Sequence, residues 1–353
     1  MPSESTSRMA TRTVSVIIPV HNAAATLRAC VSSIRASTYE TQVEVIVVDD
    51  ASTDDTAAIA ESLGCVLVRR RSNGGPAVAR NAGAKAATGE VLLFVDADTE
   101  MLPNTIAETV VALSRPGVGA VVGMYEPEPV NPGFFPRYYA YLKYHAFTCS
   151  SVTRLLGFGA QCGAISKRLF DQVGGYRSIA WGVDVENEEF GRRINEVQPV
   201  VLARGVRVRH NFPTLRKLLT VFARRVYWWV MFQRFHRVNE SILMTRRNGI
   251  ATAGAPAATC FGLAALVMPG ESASRAALWL AAAAALLFLV GYRGFWKTCL
   301  RRGGIAFTLA AVGAAFFFSH VILASAALAH WVATWRSFRG RSFPFVEAAL
   351  GQT

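Results

Sequence analysis

Charge is scarce in this sequence. Only 17% of the 353 residues are charged and 52% are hydrophobic, which excludes both a disordered chain and an ordinary soluble globule. Acidic side chains nearly vanish after residue 213: residues 1–213 hold 21 Lys+Arg against 21 Asp+Glu, and residues 214–353 hold 16 against 3. The whole net charge of +13 therefore belongs to the C-terminal part. A nucleic-acid binder carries its cations on a folded recognition domain. Here they flank long apolar runs, the pattern of a chain facing an anionic membrane, and a general positive-inside bias accounts for the same charges. No nucleic-acid partner is expected. None of the six cysteines (Cys30, Cys65, Cys149, Cys162, Cys260, Cys299) makes a CxxC or metal-type spacing, so they read as small core residues in a reducing compartment. The Gly-Lys-Ser/Thr of a phosphate loop is missing, which removes support for ATPase chemistry. Residues 1–13, Ser/Thr-rich and without an apolar segment, are expected to be disordered and not a signal peptide.

What is present is an alternation. "VSVIIPV" from Val14, "VEVIVVDD" from Val43, "CVLVRR" from Cys65 and "EVLLFVDAD" from Glu90 are continuous apolar runs, expected as strands buried on both faces of a parallel sheet. "AATLRACVSSIRAS", "STDDTAAIAESLG" and "GGPAVARNAGAKAATG" lie between them with helical length, and Ser52 with Asp55 is read as a capping box for the second. Strand–helix alternation implies an open α/β sheet whose ligands sit at the carboxyl ends of strands. His21, Asn22, Asp49, Asp50, Asp96 and Asp98 fall at those ends. Residues 126–150 read as an irregular insert, Pro-rich and then aromatic, either packing or dipping toward lipid; a strand, two short helices and short strands then run to His210.

After Pro213 the composition shifts. Leu215, Leu218, Leu219, Phe222, Val226 and Trp229 recur at helical spacing with Arg216, Lys217 and Arg224 on other sides, so 214–247 is expected to lie at a membrane interface, with packing on the preceding domain as the other reading. Three apolar stretches follow within 248–333: about 250–269, 276–292 and 305–331. About 20 residues cross the hydrocarbon layer, so these are expected to be transmembrane, with 334–353 a tail. The basic linker "RGFWKTCLRRGG" is expected on the cytoplasmic side. Three full spans then put Arg336, Arg339 and Arg341 outside, against the usual bias; either the third stretch is partly re-entrant or the bias is overridden. His320 inside it reads as an interhelical polar contact before a functional group.

The sharpest chemical feature is Asp96-Ala97-Asp98 directly after "VLLFV". In extended backbone residues i and i+2 project to one side, and two hard oxygen donors suit Mg²⁺ or Mn²⁺ shared with a diphosphate. Asp49 stands where a base or ribose is bound in such crevices, Asp50 reads as a cap, and Arg80 and Lys85 ride the third helix, where either can face a phosphate.

Taken in order, "VSVIIPVHN", "VIVVDDASTDDT", "NGGPAVARNAGAKAATGEVLLFVDADT" and "CGAISKRLFDQVGGY" resemble a family 2 glycosyltransferase over roughly Val14 to His210. The resemblance implies a GT-A fold (Rossmann-like, mostly parallel, helices on both faces) over 14–213, a nucleotide-diphosphate sugar donor, a divalent metal and inversion at the anomeric carbon. It puts Pro19, His21, Asn22, Asp49, Arg80 and Asp96 near the nucleotide sugar, Asp96 and Asp98 on the metal with His210 a candidate third ligand, and Trp181, Glu189 and Arg193 on the acceptor side.

One position departs from the family. The usual Glu-Asp-x-Glu/Asp-Leu-x-x-Arg supplies its Asp as general base; this chain reads Glu186-Asn187-Glu188-Glu189-Phe190-Gly191-Arg192-Arg193. An amide is no base. Either Asp184, Glu186 or Glu188 serves instead, or the acceptor is already anionic, as a polyprenyl phosphate is, and Asn187 resembles the amide of some enzymes acting on such lipids. The resulting expectation is a multi-pass cell-membrane glycosyltransferase with a cytoplasmic catalytic domain, acting on a lipid-linked acceptor in envelope glycan or glycolipid synthesis. Two alternatives stand beside it. A processive polysaccharide synthase is disfavoured because "WWVMFQRFHRV" lacks Gln-x-x-Arg-Trp. An inactive nucleotide-sugar-binding membrane protein retains the fold but not the base.

Overall fold

The computed structural model describes residues 12–149, 153–177, 185–236 and 246–334. These fall into two compact units, one comprising 12–131 with 153–177 and 185–211, the other 132–149 with 212–236 and 246–334. The expectations for residues 1–11, 178–184, 237–245 and 335–353 lie outside the described residues, Trp181 and Asp184 among them.

The first unit is built on a nine-stranded sheet. Strands β1 (Val14–Val20), β2 (Val43–Asp49), β3 (Val66–Arg69) and β4 (Val91–Val95) form where the apolar runs predict them. They pair in parallel in the order β3-β2-β1-β4, because each crossover is a helix: α1 (Leu27–Arg35), α2 (Thr56–Ser62) and α3 (Pro76–Ala86). All five residues of β4 and every residue of β1 except Pro19 are buried. β3 corrects the expectation of two-sided burial. It ends the sheet, and Val66 is 47% exposed. α3 lies directly on the sheet at Gly83, where a Cβ would stand 2.4 Å from Ile17 Cγ2.

Beyond β4 the sheet changes character. β5 (Thr99–Met101), α4 (Thr105–Leu113), β6 (Ala120–Tyr125), β7 (Arg154–Leu155), β8 (Cys162–Ser166), α6 (Lys167–Val173), α7 (Glu186–Val197) and β9 (Val200–His210) complete the unit, α5 belonging to the second. β8 runs antiparallel to both β4 and β6, β9 parallel to β6, and β5 antiparallel to β9. The sheet is therefore mixed, with β3-β2-β1-β4 all parallel and only β6 with β9 parallel beyond them, and the expected short strands before His210 are one 11-residue strand.

Two local expectations are also revised. Ser52 does not cap α2: its Oγ accepts from Asn22 N–H at 3.0 Å, and the helix start is organised by Asp54, which accepts from Thr56 and from Ala24 N–H. The aromatic part of the insert is a helix, α5 (Phe134–Cys149).

The second unit contains α5, α8 (Leu215–His236), α9 (Arg246–Val267), α10 (Glu271–Gly291) and α11 (Arg293–Thr334). Three segments are long and apolar enough to cross a membrane: Gly249–Val267, Glu271–Gly291 and Arg293–Val332, at mean hydropathies of 1.7, 1.9 and 2.0. α11 is broken at Gly304, whose φ of 77° and ψ of −175° only glycine adopts readily. The break separates a basic piece with Arg293, Lys297, Arg301 and Arg302 from the apolar remainder. Within this unit the stripe of α8 packs on α11 through Phe222 and Phe318 (4.8 Å between ring centres), and α5 does so through Phe134 and Phe307 (5.1 Å). His320 makes an interhelical contact, Nε2 to Thr259 Oγ1 at 3.0 Å, while Nδ1 donates to the Phe316 carbonyl at 2.9 Å.

Candidate active site

The strand order turns at β1, with β2 on one side and β4 on the other, opening a crevice at their carboxyl ends. Pro19 lies half-buried in the last stretch of β1, and His21 and Asn22 follow it, exposed at the rim. His21 Nδ1 donates to the Asp50 carbonyl at 3.0 Å, which fixes the tautomer and leaves Nε2 to accept from Asn22 Nδ2 at 3.4 Å. Asn22 and Ala51 both hold positive φ, 53° and 61°. The second is unusual for a residue with a Cβ and marks a rim held in place by its surroundings.

The two adjacent aspartates do different work. Asp49 is 6% exposed, and its Oδ1 accepts the Ser52 N–H at 2.9 Å. Asp50 is 3% exposed and turned the other way: it pairs with Arg70 and accepts the N–H groups of Gly74 (3.1 Å) and Gly75 (2.8 Å). It thereby anchors the turn into α3 and does not cap α2. Arg70, in "CVLVRR", is not singled out by the sequence, and nothing in its spacing betrays the latch.

Asp96, Ala97 and Asp98 do not continue the strand. Thr99 N–H donates back to the Asp96 carbonyl at 3.1 Å, so the tripeptide is a tight turn and not extended backbone. The two carboxylates converge nonetheless, because β5 is delivered to β9 in register Thr99↔His210 and Asn211 N–H donates to the Asp98 carbonyl at 2.9 Å. His210 Nε2 lies 3.3 Å from Asp98 Oδ1. One ligand atom from each of Asp96, Asp98 and His210 lies within 4.8 Å of the other two. Two carboxylates and an imidazole are a donor set that could hold a divalent cation. The negative field of this corner reaches buried thiols. Burial, with Asp96 adding to it, pushes Cys162 up to about 12, and Cys30 is raised further by burial, Asp98 and Asp96.

Arg80 is 4% exposed on α3 and donates from Nη2 to Asp96 Oδ1 at 3.1 Å; Lys85, near the C-terminal end of the same helix, is exposed. Burial works against the charge of Arg80, and Tyr176, Asp96 and Glu186 outweigh it, raising its pKa. Glu186 and Glu188 are half-buried in the first turn of α7. The Asn187 carbonyl accepts Phe158 N–H at 2.8 Å, and its side-chain Oδ1 is buried without a hydrogen-bond partner among the described residues. Glu189 and Arg193 meet each other in a buried two-pronged pair at 2.7 and 2.8 Å. Arg193 also donates to the carbonyls of Val173 and Gly175, fastening α7 to the end of α6. These polar atoms are engaged in holding α7 in place. Tyr176 was not singled out in the sequence, although it closes the quoted "QVGGY" and lies under Arg80 with 5.4 Å from the guanidinium to the ring centre.

Residues 15–174 match the family described as Glycosyl transferase family 2. Among relatives, the uncharacterized glycosyltransferase YibD of Escherichia coli K12 is 40% identical over 108 residues, 30% of this chain and 31% of YibD. The UDP-Glc:alpha-D-GlcNAc-diphosphoundecaprenol beta-1,3-glucosyltransferase WfaP of Escherichia coli is 32% identical over 149 residues, 39% of this chain and 59% of WfaP. The chain thus spans about a third of the first relative's length. Among solved structures, mannosyltransferase PcManGT of Pyrobaculum calidifontis, in complex with GDP-Man and Mn²⁺, shares the fold at a TM-score of 0.57 and 20% identity, over 91% of this chain and 88% of that one. Residues 15–174 are a family 2 glycosyltransferase domain, in a GT-A fold, followed by helices long and apolar enough to cross a membrane.

Proposed function

We propose that this chain is a membrane-bound inverting glycosyltransferase that moves a sugar from a nucleotide-diphosphate sugar to a lipid-linked acceptor carrying a phosphate. The observation that carries the reading is the convergence of Asp96 and Asp98, inside the family 2 domain, with His210 from the end of β9. Those three residues would hold a divalent cation, which supplies Lewis-acid stabilisation of the charge that develops on the departing diphosphate. Pro19, His21, Asn22 and Asp49 border the nucleotide. In the transfer, an acceptor oxygen forms a bond to the anomeric carbon from the face opposite the diphosphate. The bond from that carbon to the diphosphate oxygen breaks, and the electron pair leaves with the nucleoside diphosphate. An acceptor that is already anionic gives up no proton, which suits Asn187 in place of a base. WfaP, named for a sugar-bearing diphospholipid acceptor, supports a lipid-linked acceptor; its beta-1,3 bond is made to a sugar hydroxyl, so the anionic attacking oxygen rests on Asn187. The three apolar helices support a multi-pass membrane location, and the basic piece of α11 supports a cytoplasmic catalytic domain.

Purified full-length protein supplied with UDP-glucose or GDP-mannose and a polyprenyl phosphate is expected to release nucleoside diphosphate only with Mn²⁺ or Mg²⁺. Asp98→Ala is expected to lower that release at least a hundredfold; undiminished turnover in this variant would refute the metal assignment.

A further inference from the structure

Arg80 has five N–H donors and almost no contact with solvent. Among the described residues it makes one side-chain hydrogen bond, to Asp96, while Nε and Nη1 are buried without a hydrogen-bond partner. A buried guanidinium is costly unless carboxylates compensate it. Two do, from different parts of the site. Asp96 comes from the turn after β4, and Glu186, the first residue of α7, places Oε1 3.6 Å from Nη1. The guanidinium carbon lies 5.4 Å from the centre of the Tyr176 ring, which is itself 4.2 Å from that of Phe190 on α7. The next residue of α3 completes the frame: Asn81 Nδ2 donates to the Tyr176 carbonyl at 2.7 Å, and Asn81 Oδ1 accepts the Tyr176 N–H at 2.9 Å. Arg80 and Asn81 together hold the backbone and the ring of residue 176 and the head of α7 against the aspartate turn.

We infer that Arg80 is a positioning residue, a buried cationic tie that holds Asp96 and Glu186 at a set separation and so assembles the two sides of the catalytic crevice as one unit. The inference rests on the function proposed above for what the two sides do, but not for the existence of the tie. It gives Glu186 a task other than accepting a proton: its carboxylate is the far anchor of the bridge. Lysine does not replace the arginine, because a single ammonium lacks the two separate terminal nitrogens that meet Asp96 and Glu186 and the delocalised planar group beside Tyr176.

The test is a double-mutant cycle on the full-length protein in detergent, with Arg80→Lys, Glu186→Gln and both together. With GDP-mannose or UDP-glucose, Mn²⁺ and a polyprenyl phosphate, each single change is expected to lower kcat at least tenfold while KM for the sugar nucleotide stays within threefold. The double variant is expected to be no slower than the slower single, because the tie is already cut. Thermal unfolding of the same four proteins without nucleotide or metal is expected to show the same non-additivity in midpoint. Multiplicative losses in kcat, or a loss confined to KM, overturn the positioning role, and additive midpoint shifts overturn the tie itself. If the wild-type protein transfers no sugar at all, the proposed function fails, while the unfolding cycle still decides for or against the tie.

Discussion

At the scale of single residues, the site depends on which carboxylate is turned where. Asp49 and Asp50 are neighbours in sequence, yet one is held by the Ser52 amide and the other is consumed by Arg70 and two glycine amides. No pattern in "VVDD" separates them; the difference arises from the turn at Ala51, whose positive φ is a tertiary outcome. Asn187 was fully legible, since the substitution of an amide for a carboxylate is written in the sequence. Asn187→Asp is expected to give no gain in transfer to a polyprenyl phosphate and to lower it severalfold, by putting a charge where Asn187 Oδ1 is buried without a hydrogen-bond partner among the described residues. Steady-state kinetics with that acceptor checks it, and a rise in kcat would restore the missing-base reading.

A second residue-scale expectation concerns acid stability. Glu44 accepts hydrogen bonds from Ser15, from Thr88 N–H (2.6 Å) and Oγ1 (2.8 Å) and from Gly89 N–H (3.2 Å). Burial pushes its carboxyl up, and these bonds outweigh burial and hold it below the ordinary value of 4.5. A group with a depressed folded pKa stabilises above its unfolded value and loses that contribution as pH falls through the folded one. Glu44→Gln is therefore expected to lower stability modestly near neutral pH, screened by solvent, and to approach wild-type stability as pH falls below 4.5. Unfolding midpoints across pH 3–7 measure the convergence.

At the scale of elements, the four parallel strands and their crossover helices were legible because burial on both faces leaves continuous apolar runs. The exception is β3, which looks the same in sequence yet ends the sheet; edge position is a property of topology, not of a seven-residue window. α5 was hidden by its Pro-rich approach and by aromatic residues, whose helical spacing is weak evidence against an irregular insert. Close packing at α7 was likewise invisible. A Cβ at Gly191 would stand 2.5 Å from Phe158 N and 2.6 Å from Gly157. Gly191→Ala is expected to push α7 off that loop and cost about 1–3 kcal/mol, as overpacking does. Differential scanning fluorimetry reads the loss, and an unchanged midpoint would show that the loop yields freely. Gly304→Ala tests the other unit. Alanine disfavours that backbone by about 1–3 kcal/mol, so the variant is expected to unfold earlier or to straighten α11.

At the scale of the whole molecule, neutrality of the first 213 residues and the excess of 13 positive charges afterwards are composition facts that the three apolar helices make physical. Arg137, Lys143 and Arg302 lie over aromatic rings in the second unit, at 4.9, 5.3 and 4.8 Å from Phe307, Tyr139 and Tyr144. Such cations retain their charge while covering apolar surface. Reconstitution is expected to favour vesicles with phosphatidylglycerol over phosphatidylcholine alone, raising activity severalfold at low salt, with the advantage shrinking as ionic strength rises. Equal activity in both vesicle types across salt concentrations would contradict that expectation.

The pairing of Thr99 with His210 carries a consequence for biosynthesis. Asp96 and Asp98 leave the ribosome long before the imidazole that stands beside them, and the three-residue β5 has no other strand to bind among the described elements. A nascent chain halted short of β9 already has its nucleotide-side strands but cannot close the cation corner. Under the function proposed above, competence for transfer is thus withheld until the last strand of the unit is made, immediately ahead of the segment that starts α8.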